Sequence, residues 1–296
     1  MGDPRPIGFF DSGVGGLTVL SEVMRRLPHE DTLYLGDSAR TPYGPRPDGD
    51  VIRYSTECLD ELAGRDVKAI VVACNTSTAV ALPSLRRRYA VPILGVVRPG
   101  ATAAALATRT RAVGVIATPA TVRSHAYFEA IKEEDPFVEV YEHATPALVP
   151  LVESGQMAGP AVETAIRRSL APLLGSRAVS SDVDESFVFP MASETRIDTL
   201  LLGCTHYPLL GSAVRAVVGD EIAVIDSASA TASALASLIE IHALGAPQRE
   251  ESRHAMLTTG DVEAFRDAAV RLFGRDYGAV EALELGTPAA RAGMTA

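Results

Sequence analysis

Short apolar runs rich in Ile, Val and Leu alternate along the chain with longer stretches whose apolar positions recur every three or four residues. The short runs lack polar alternation, which predicts strands buried on both faces. They fall at 7–10, 32–35, 69–72, 93–97, 112–116, 137–141, 199–202 and 222–225. The longer stretches predict helices at 16–27, 50–65, 77–89, 99–108, 119–133, 146–153, 159–174, 209–218, 228–244 and 262–273. Strands and helices alternating in this way read as βαβ units, an α/β fold with mainly parallel sheets. Ligands of such folds lie beyond the carboxyl ends of the strands, so the residues just after each strand are the first places to look for chemistry.

Two halves are suggested, because a strand–Cys–helix element occurs twice, at 69–82 and at 199–218. The run GVVRPG at 95–100 reads as a crossover between the halves, and 220–226 as the return. Residues 175–197 are polar and irregular where a few residues would suffice to join helix to strand, so they read as an exposed loop. Residues 286–296, GTPAARAGMTA, read as a disordered tail.

Composition narrows the function. The 296 residues are 47% hydrophobic and carry a formal net charge of −10 with no basic tract, which argues against a nucleic-acid partner. No apolar stretch is long enough to span a membrane, and the first residues lack the pattern of a secretory signal. The three cysteines show no Cys-x-x-Cys spacing, so neither a disulfide framework nor a zinc site is expected. A reducing cytoplasmic setting fits these thiols.

Two of the cysteines stand in look-alike contexts, VVACNTST around Cys74 and LLLGCTHYPLL around Cys204. Each follows an apolar run and a small residue and precedes a Thr-containing polar cluster. A thiol where a strand hands over to a helix lies near unpaired backbone N–H groups, which is expected to lower its pKa toward neutrality. Two such thiols suggest opposed acid/base groups. Taken singly, a cysteine after a buried strand is usually a small core hydrophobe, and it is the second copy of the context that favours chemistry. Asn75 and Thr76 after the first, and Thr205 and His206 after the second, add hydrogen-bonding capacity.

His206 reads as an acid/base partner or as a helix-start histidine satisfied by backbone. Asp11 and Ser12 end the first strand before the turn GVGG, which lacks both a Walker lysine and a dinucleotide spacing. Asp11 is either a cap on that turn or an acid/base group facing the crevice. The segment TPYGP places Tyr43 and Gly44 in a rigid loop that is either surface structure or a substrate contact. Thr118 and Thr121, at a helix start, read as an ordinary cap or an anion cradle. Glu153 ends a helix, and Cys58 lies in a helical pattern and is assigned to packing.

Taken in order, IGFFDSGVGG, the PYG loop, VVACNTST, ATPATVRS, LVES and LLLGCTHYPLL resemble the cofactor-independent aspartate/glutamate racemase family, and its glutamate-specific members most closely. The match runs from Ile7 to about Gly274. The resemblance implies two α/β domains related by a pseudo-twofold, with the active site between them and one catalytic cysteine from each. With the crossover and return, this divides the chain into 1–97 plus 223–285 and 98–222. It implies acid/base roles for Cys74 and Cys204, with Asp11 and His206 as their helpers. Ser12, Tyr43, Gly44, Asn75, Thr76, Thr121 and Thr205 fall on substrate-contact positions, beside Asp11 and His206, and Glu153 on an active-site acidic position. It further implies interconversion of L- and D-glutamate for peptidoglycan, no pyridoxal phosphate or metal, and a homodimer. Ser38 and Pro47 depart from residues often seen as Thr and Ser, and the 175–197 loop is longer than usual for the family.

Inverting an α-carbon requires a proton removed on one face and another delivered on the opposite face. Two thiols, one starting ionised, meet that need. Three other readings remain open at this level: racemisation of aspartate, a non-catalytic binder on the same fold, and a thiol hydrolase. No Cys-His-Asn order supports the last.

Overall fold

The structure is a computed structural model that describes residues 2–174, 197–247, 251–274 and 277–285. Of the loop expected at 175–197 all but the buried Ile197, and the tail expected at 286–296, lie outside the described residues. Two sheets, both parallel throughout, organise the chain.

The first sheet uses β1 (Ile7–Asp11), β2 (Thr32–Gly36), β3 (Ala69–Val72) and β4 (Ile93–Gly95), extended by β9 (His254–Thr258) and β10 (Val280–Ala282) in the order β10-β9-β2-β1-β3-β4. The second uses β5 (Ala112–Ala117), β6 (Glu139–Ala144), β7 (Thr199–Gly203) and β8 (Ala223–Asp226) in the order β6-β5-β7-β8. Numbered from its own first strand, each sheet contains the same 2-1-3-4 arrangement. Cys74 follows the third strand of the first set and Cys204 the third strand of the second.

Side-chain alternation sorts each strand onto two helix layers. Phe9 and Val71 face α1 (Leu17–Arg26) and α11 (Ser227–Ile241), whereas Phe10, Ile70 and Val72 face α2 (Asp48–Gly64). In the second sheet Leu200 and Leu202 face α8 (Leu148–Glu153), α9 (Pro160–Leu174) and α10 (Gly211–Val218). Leu201 faces α5 (Val97–Ala107) and α7 (Ala126–Glu134). Coverage on both faces explains why these strands are apolar without alternation. Each fully buried Leu, Val or Phe contributes roughly 1.5–3 kcal/mol.

The structure corrects several expectations. β8 pairs with β7, so residues 223–226 belong with the second sheet and the boundary expected at 223 lies after Asp226. The crossover is α5 itself and the return is α11; the two pack against each other between the sheets. β9 and β10 are additional strands. The strand expected at 137–141 starts instead at Glu139, because Phe137 is exposed and its N–H caps Asp135 Oδ1 at 2.9 Å. The helix expected at 119–133 is split into α6 (Pro119–Arg123) and α7 by His125, at φ 53°. The helix expected at 77–89 is split into α3 (Asn75–Val80) and α4 (Leu82–Leu85), the latter with Pro83, which has no N–H to continue the ladder. Residues 207–210, expected to run into a helix at 209, form a 3-10 turn, Tyr207–Leu210, before α10.

Candidate active site

Asp11 ends β1, Cys74 and Cys204 follow β3 and β7, and Thr118 follows β5, so four strand ends supply the candidate groups. The strand ends of the two sheets meet. Thr76 Oγ1 and Thr118 Oγ1 lie 3.0 Å apart, with Thr121 Oγ1 3.0 Å beyond. Thr18 Oγ1 donates to Gly15 O at 2.9 Å and to Thr205 O at 3.2 Å. The glycine turn fits this close approach: a Cβ on Gly15 would lie 2.5 Å from Thr205 Oγ1 and 2.7 Å from the His206 ring. Gly44 meets the start of α6, its carbonyl accepting from Ala120 N at 3.2 Å. A Cβ there would lie 2.9 Å from Thr118.

Cys74 caps α3, its sulfur accepting from Ser77 N at 3.4 Å, with Ser12 Oγ 3.6 Å away. Burial raises its pKa, the Asp11 charge adds to that, and the Ser77 and Ser12 contacts oppose it. Cys204 has no helix beginning at it. Its sulfur lies 3.8 Å from His206 Nδ1, and its thiol is pushed well above the usual range by burial, against the His206 N–H. The charges of Cys74, Asp11 and Glu153 raise it further, which places all three within electrostatic range of it. The expectation of lowered thiol pKa values is therefore corrected for the unliganded protein. The cysteines are only 4% and 6% exposed, and loss of hydration outweighs the nearby N–H groups.

Asp11 and His206 are shifted in opposite senses. Asp11, fully buried, has its pKa raised to about 6 by burial, against backbone N–H groups of Gly16, Gly13 and Ser12 and the Thr205 hydroxyl. Its Oδ2 accepts from Gly13 N at 2.9 Å. His206 is lowered to about 4 by burial and is neutral at pH 7. Its Nε2 faces Glu153 Oε1 at 3.6 Å, and burial and Asp11 raise the Glu153 carboxyl. Cys204, His206 and Glu153 thus form a chain of contacts in which a neutral imidazole stands between thiol and carboxylate.

The remaining candidates divide. Asn75, Thr76, Thr121 and Thr205 are buried at the junction of the two sheets, and Ser12 is half-buried beside Cys74. The Tyr43 side chain does not face the thiols. Its ring packs on Phe10 and Tyr54 and its hydroxyl donates to Asp37 Oδ2, which leaves only its backbone for a ligand. Asp37, which also accepts from Arg40 and Thr259, anchors the PYG loop and was not anticipated from the sequence. A Gly-Asp pair after a strand could have suggested it. Cys58 lies on α2 and is buried in the core, as expected for packing, with Arg40 Nη2 at 3.7 Å. A cavity of about 390 Å³ opens beside the glycine turn, lined by Gly13, Val14, Thr41, Glu153, Phe265 and Arg271 among others; neither thiol lines it.

The family described as Asp/Glu/Hydantoin racemase matches residues 16–181. A glutamate racemase from Streptococcus gordonii is 40% identical over 284 residues, 96% of this chain and 100% of that protein. The crystal structure of glutamate racemase isoform RacE1 from Bacillus anthracis superposes with a TM-score of 0.85 at 37% identity, covering 95% of this chain and 98% of that one. The Francisella tularensis glutamate racemase, solved with D-glutamate, does so at 0.82 and 31% identity, covering 96% and 98%. Cysteines after equivalent strands of the two sheets, and similarity over nearly the whole length, lead to one conclusion: the chain belongs to the Asp/Glu/hydantoin racemase family.

Proposed function

We propose that the protein interconverts L- and D-glutamate by moving protons at the α-carbon between Cys74 and Cys204, one thiol on each face of the substrate. The observation that carries this reading is the placement of the two thiols. They follow equivalent strands of two sheets with the same internal order, and the strand ends of those sheets face each other. Relatives of about 40% identity over nearly the full chain are glutamate racemases, and one solved neighbour holds D-glutamate.

Both cysteines are almost fully buried, so glutamate reaches the sulfurs when the two units part and close again. Closure around the substrate places its α-carbon between the thiols, with the positively charged α-ammonium beside them. That positive charge offsets the desolvation that raises both thiol pKa values. One thiol then ionises, with His206 or Asp11 taking up its proton. The thiolate removes the α-proton while the opposite thiol delivers one. The carbanion needs donors at the α-carboxylate, where charge develops. Asn75, Thr76 and Thr205, with the backbone N–H groups after each cysteine, supply them. The hydroxyls of Thr118 and Thr121, next to Thr76, and the Gly44 backbone suit the side-chain carboxylate.

The reaction draws both acid/base groups from the chain and calls for no pyridoxal phosphate or metal. The protein acts in the cytoplasm as a homodimer and supplies D-glutamate for peptidoglycan. No helix among the described residues is long and apolar enough to cross a membrane. Circular dichroism with purified protein tests the activity: L-glutamate racemises and L-aspartate does not. Racemisation of aspartate alone, or of neither, overturns the reading. Sedimentation equilibrium tests the dimer, a monomer at micromolar concentration contradicting it.

A further inference from the structure

Tyr127, at the start of α7, is fully buried and touches both cysteine segments from beneath. Its ring lies against Gly203, the residue before Cys204: a Cβ built on Gly203 would come within 2.8 Å of the ring. A Cβ on Gly100 of α5 would lie 3.5 Å from the opposite edge. Its hydroxyl accepts from Asn75 Nδ2, one residue after Cys74, at 2.7 Å. The Ser227 hydroxyl, at the start of the return helix, lies near enough to the phenol to oppose the rise that burial gives its pKa. One side chain of the second unit therefore meets the first unit, the second thiol segment and both connecting helices.

Asn75 has nothing else to fix its side chain among the described residues. Its Oδ1 is buried without a hydrogen-bond partner, so the bond to Tyr127 alone sets the rotation of the amide. An amide so oriented leaves Oδ1 to accept from a bound ligand. A Gly at 203 is equally informative, since the ring occupies the space a side chain would need.

We propose that Tyr127 is a positioning residue for the racemisation, its hydroxyl orienting Asn75 toward substrate and its ring fixing the Gly203–Cys204 segment. This rests on the two-thiol reading of the site. The two parts separate by substitution. Tyr127→Phe keeps the ring and removes the hydroxyl. It is expected to raise KM for glutamate about tenfold and to lower kcat less than about threefold, the pattern of a lost binding contact. Tyr127→Leu also frees Gly203 and lowers kcat further, by about a hundredfold.

The decisive comparison uses Asn75→Ala with and without Tyr127→Phe. If the hydroxyl acts through Asn75, adding Tyr127→Phe to Asn75→Ala changes kcat/KM by less than about twofold. A wild-type KM in Tyr127→Phe, or the same tenfold loss in the Asn75→Ala background, overturns the proposal. Amide hydrogen exchange supplies a readout independent of turnover: exchange at residues 75–78 quickens in Tyr127→Phe, while that of β2 is unchanged. If the wild type fails to racemise glutamate, the functional reading falls. Exchange then still decides the Tyr127 link, an unaltered rate at 75–78 overturning it.

Discussion

The Cys74 and Cys204 ends of the proposed site share a strand topology but surround their thiols differently. At the first, the thiol caps a helix, takes one backbone N–H bond and has as its nearby charged group Asp11, a carboxyl lifted to about 6. At the second, no helix starts at the thiol. A neutral imidazole lies 3.8 Å away and is backed by Glu153. A carboxylate beside a thiol discourages a second negative charge, whereas a neutral imidazole accepts the thiol proton and becomes a cation beside the thiolate. Similar frameworks thus hold two unlike thiol environments, and in the proposed reaction the two directions are free to differ in rate and pH dependence.

The strongest way to break the comparison is to remove one thiol. Cys74→Ser and Cys204→Ser are each expected to lower racemisation at least about a thousandfold by circular dichroism, since neither end replaces the other. His206→Asn is next. It is expected to cost about a hundredfold in kcat for the direction in which Cys204 removes the proton and under tenfold in the other. Equal losses in both directions would mean that His206 serves binding alone. Glu153→Gln is smaller, within about tenfold in kcat, because the carboxylate acts through a 3.6 Å contact and is partly exposed. Its signature is an asymmetric loss that disappears when His206 is already Asn.

The smallest effects concern stability, where the two ends differ in sign. His206 has a lowered pKa, so on acidification the unfolded chain takes up a proton first. The neutral buried imidazole favours folding above about 6.5, and that contribution is lost as pH falls from 6.5 through about 4. Asp11 has a raised pKa, so its contribution is present below about 3.8 and is lost as pH rises through about 6. Asp11→Asn is therefore expected to stabilise the unliganded protein at pH 7.5 by about 1–2 kcal/mol, several degrees in thermal unfolding, while lowering activity. No gain over wild type at pH 7.5, or a gain that persists undiminished at pH 4, would contradict the assignment.

Much of this was legible in the sequence because it rests on local pattern. The apolar runs at β1, β3, β5 and β7 mark strands buried on both faces, and the polar residues after them mark the crevice. What escaped depends on three-dimensional partners. β9 is the short run HAMLT, held in place by pairing with β2, and β10 is three residues long and contains Glu281. The strand at 223–226 was visible, but its sheet is decided by pairing with β7. His125 breaks a helix in a left-handed conformation without the glycine that usually announces one. Tyr127 looks like any core position on a helix, since its contacts lie 52 residues back and 76 ahead. The direction of the thiol shifts depends on how completely two units close over them, which no local pattern records.

The central claim is that Cys74 and Cys204 address opposite faces of one α-carbon. Solvent deuterium incorporation in the single-thiol variants tests it most directly. Each of Cys74→Ser and Cys204→Ser is expected to exchange the α-proton of only one glutamate enantiomer without inverting it, and the two variants are expected to select opposite enantiomers. Exchange of the same enantiomer by both variants, or near-normal racemisation by either, would contradict a site built from two opposed thiols.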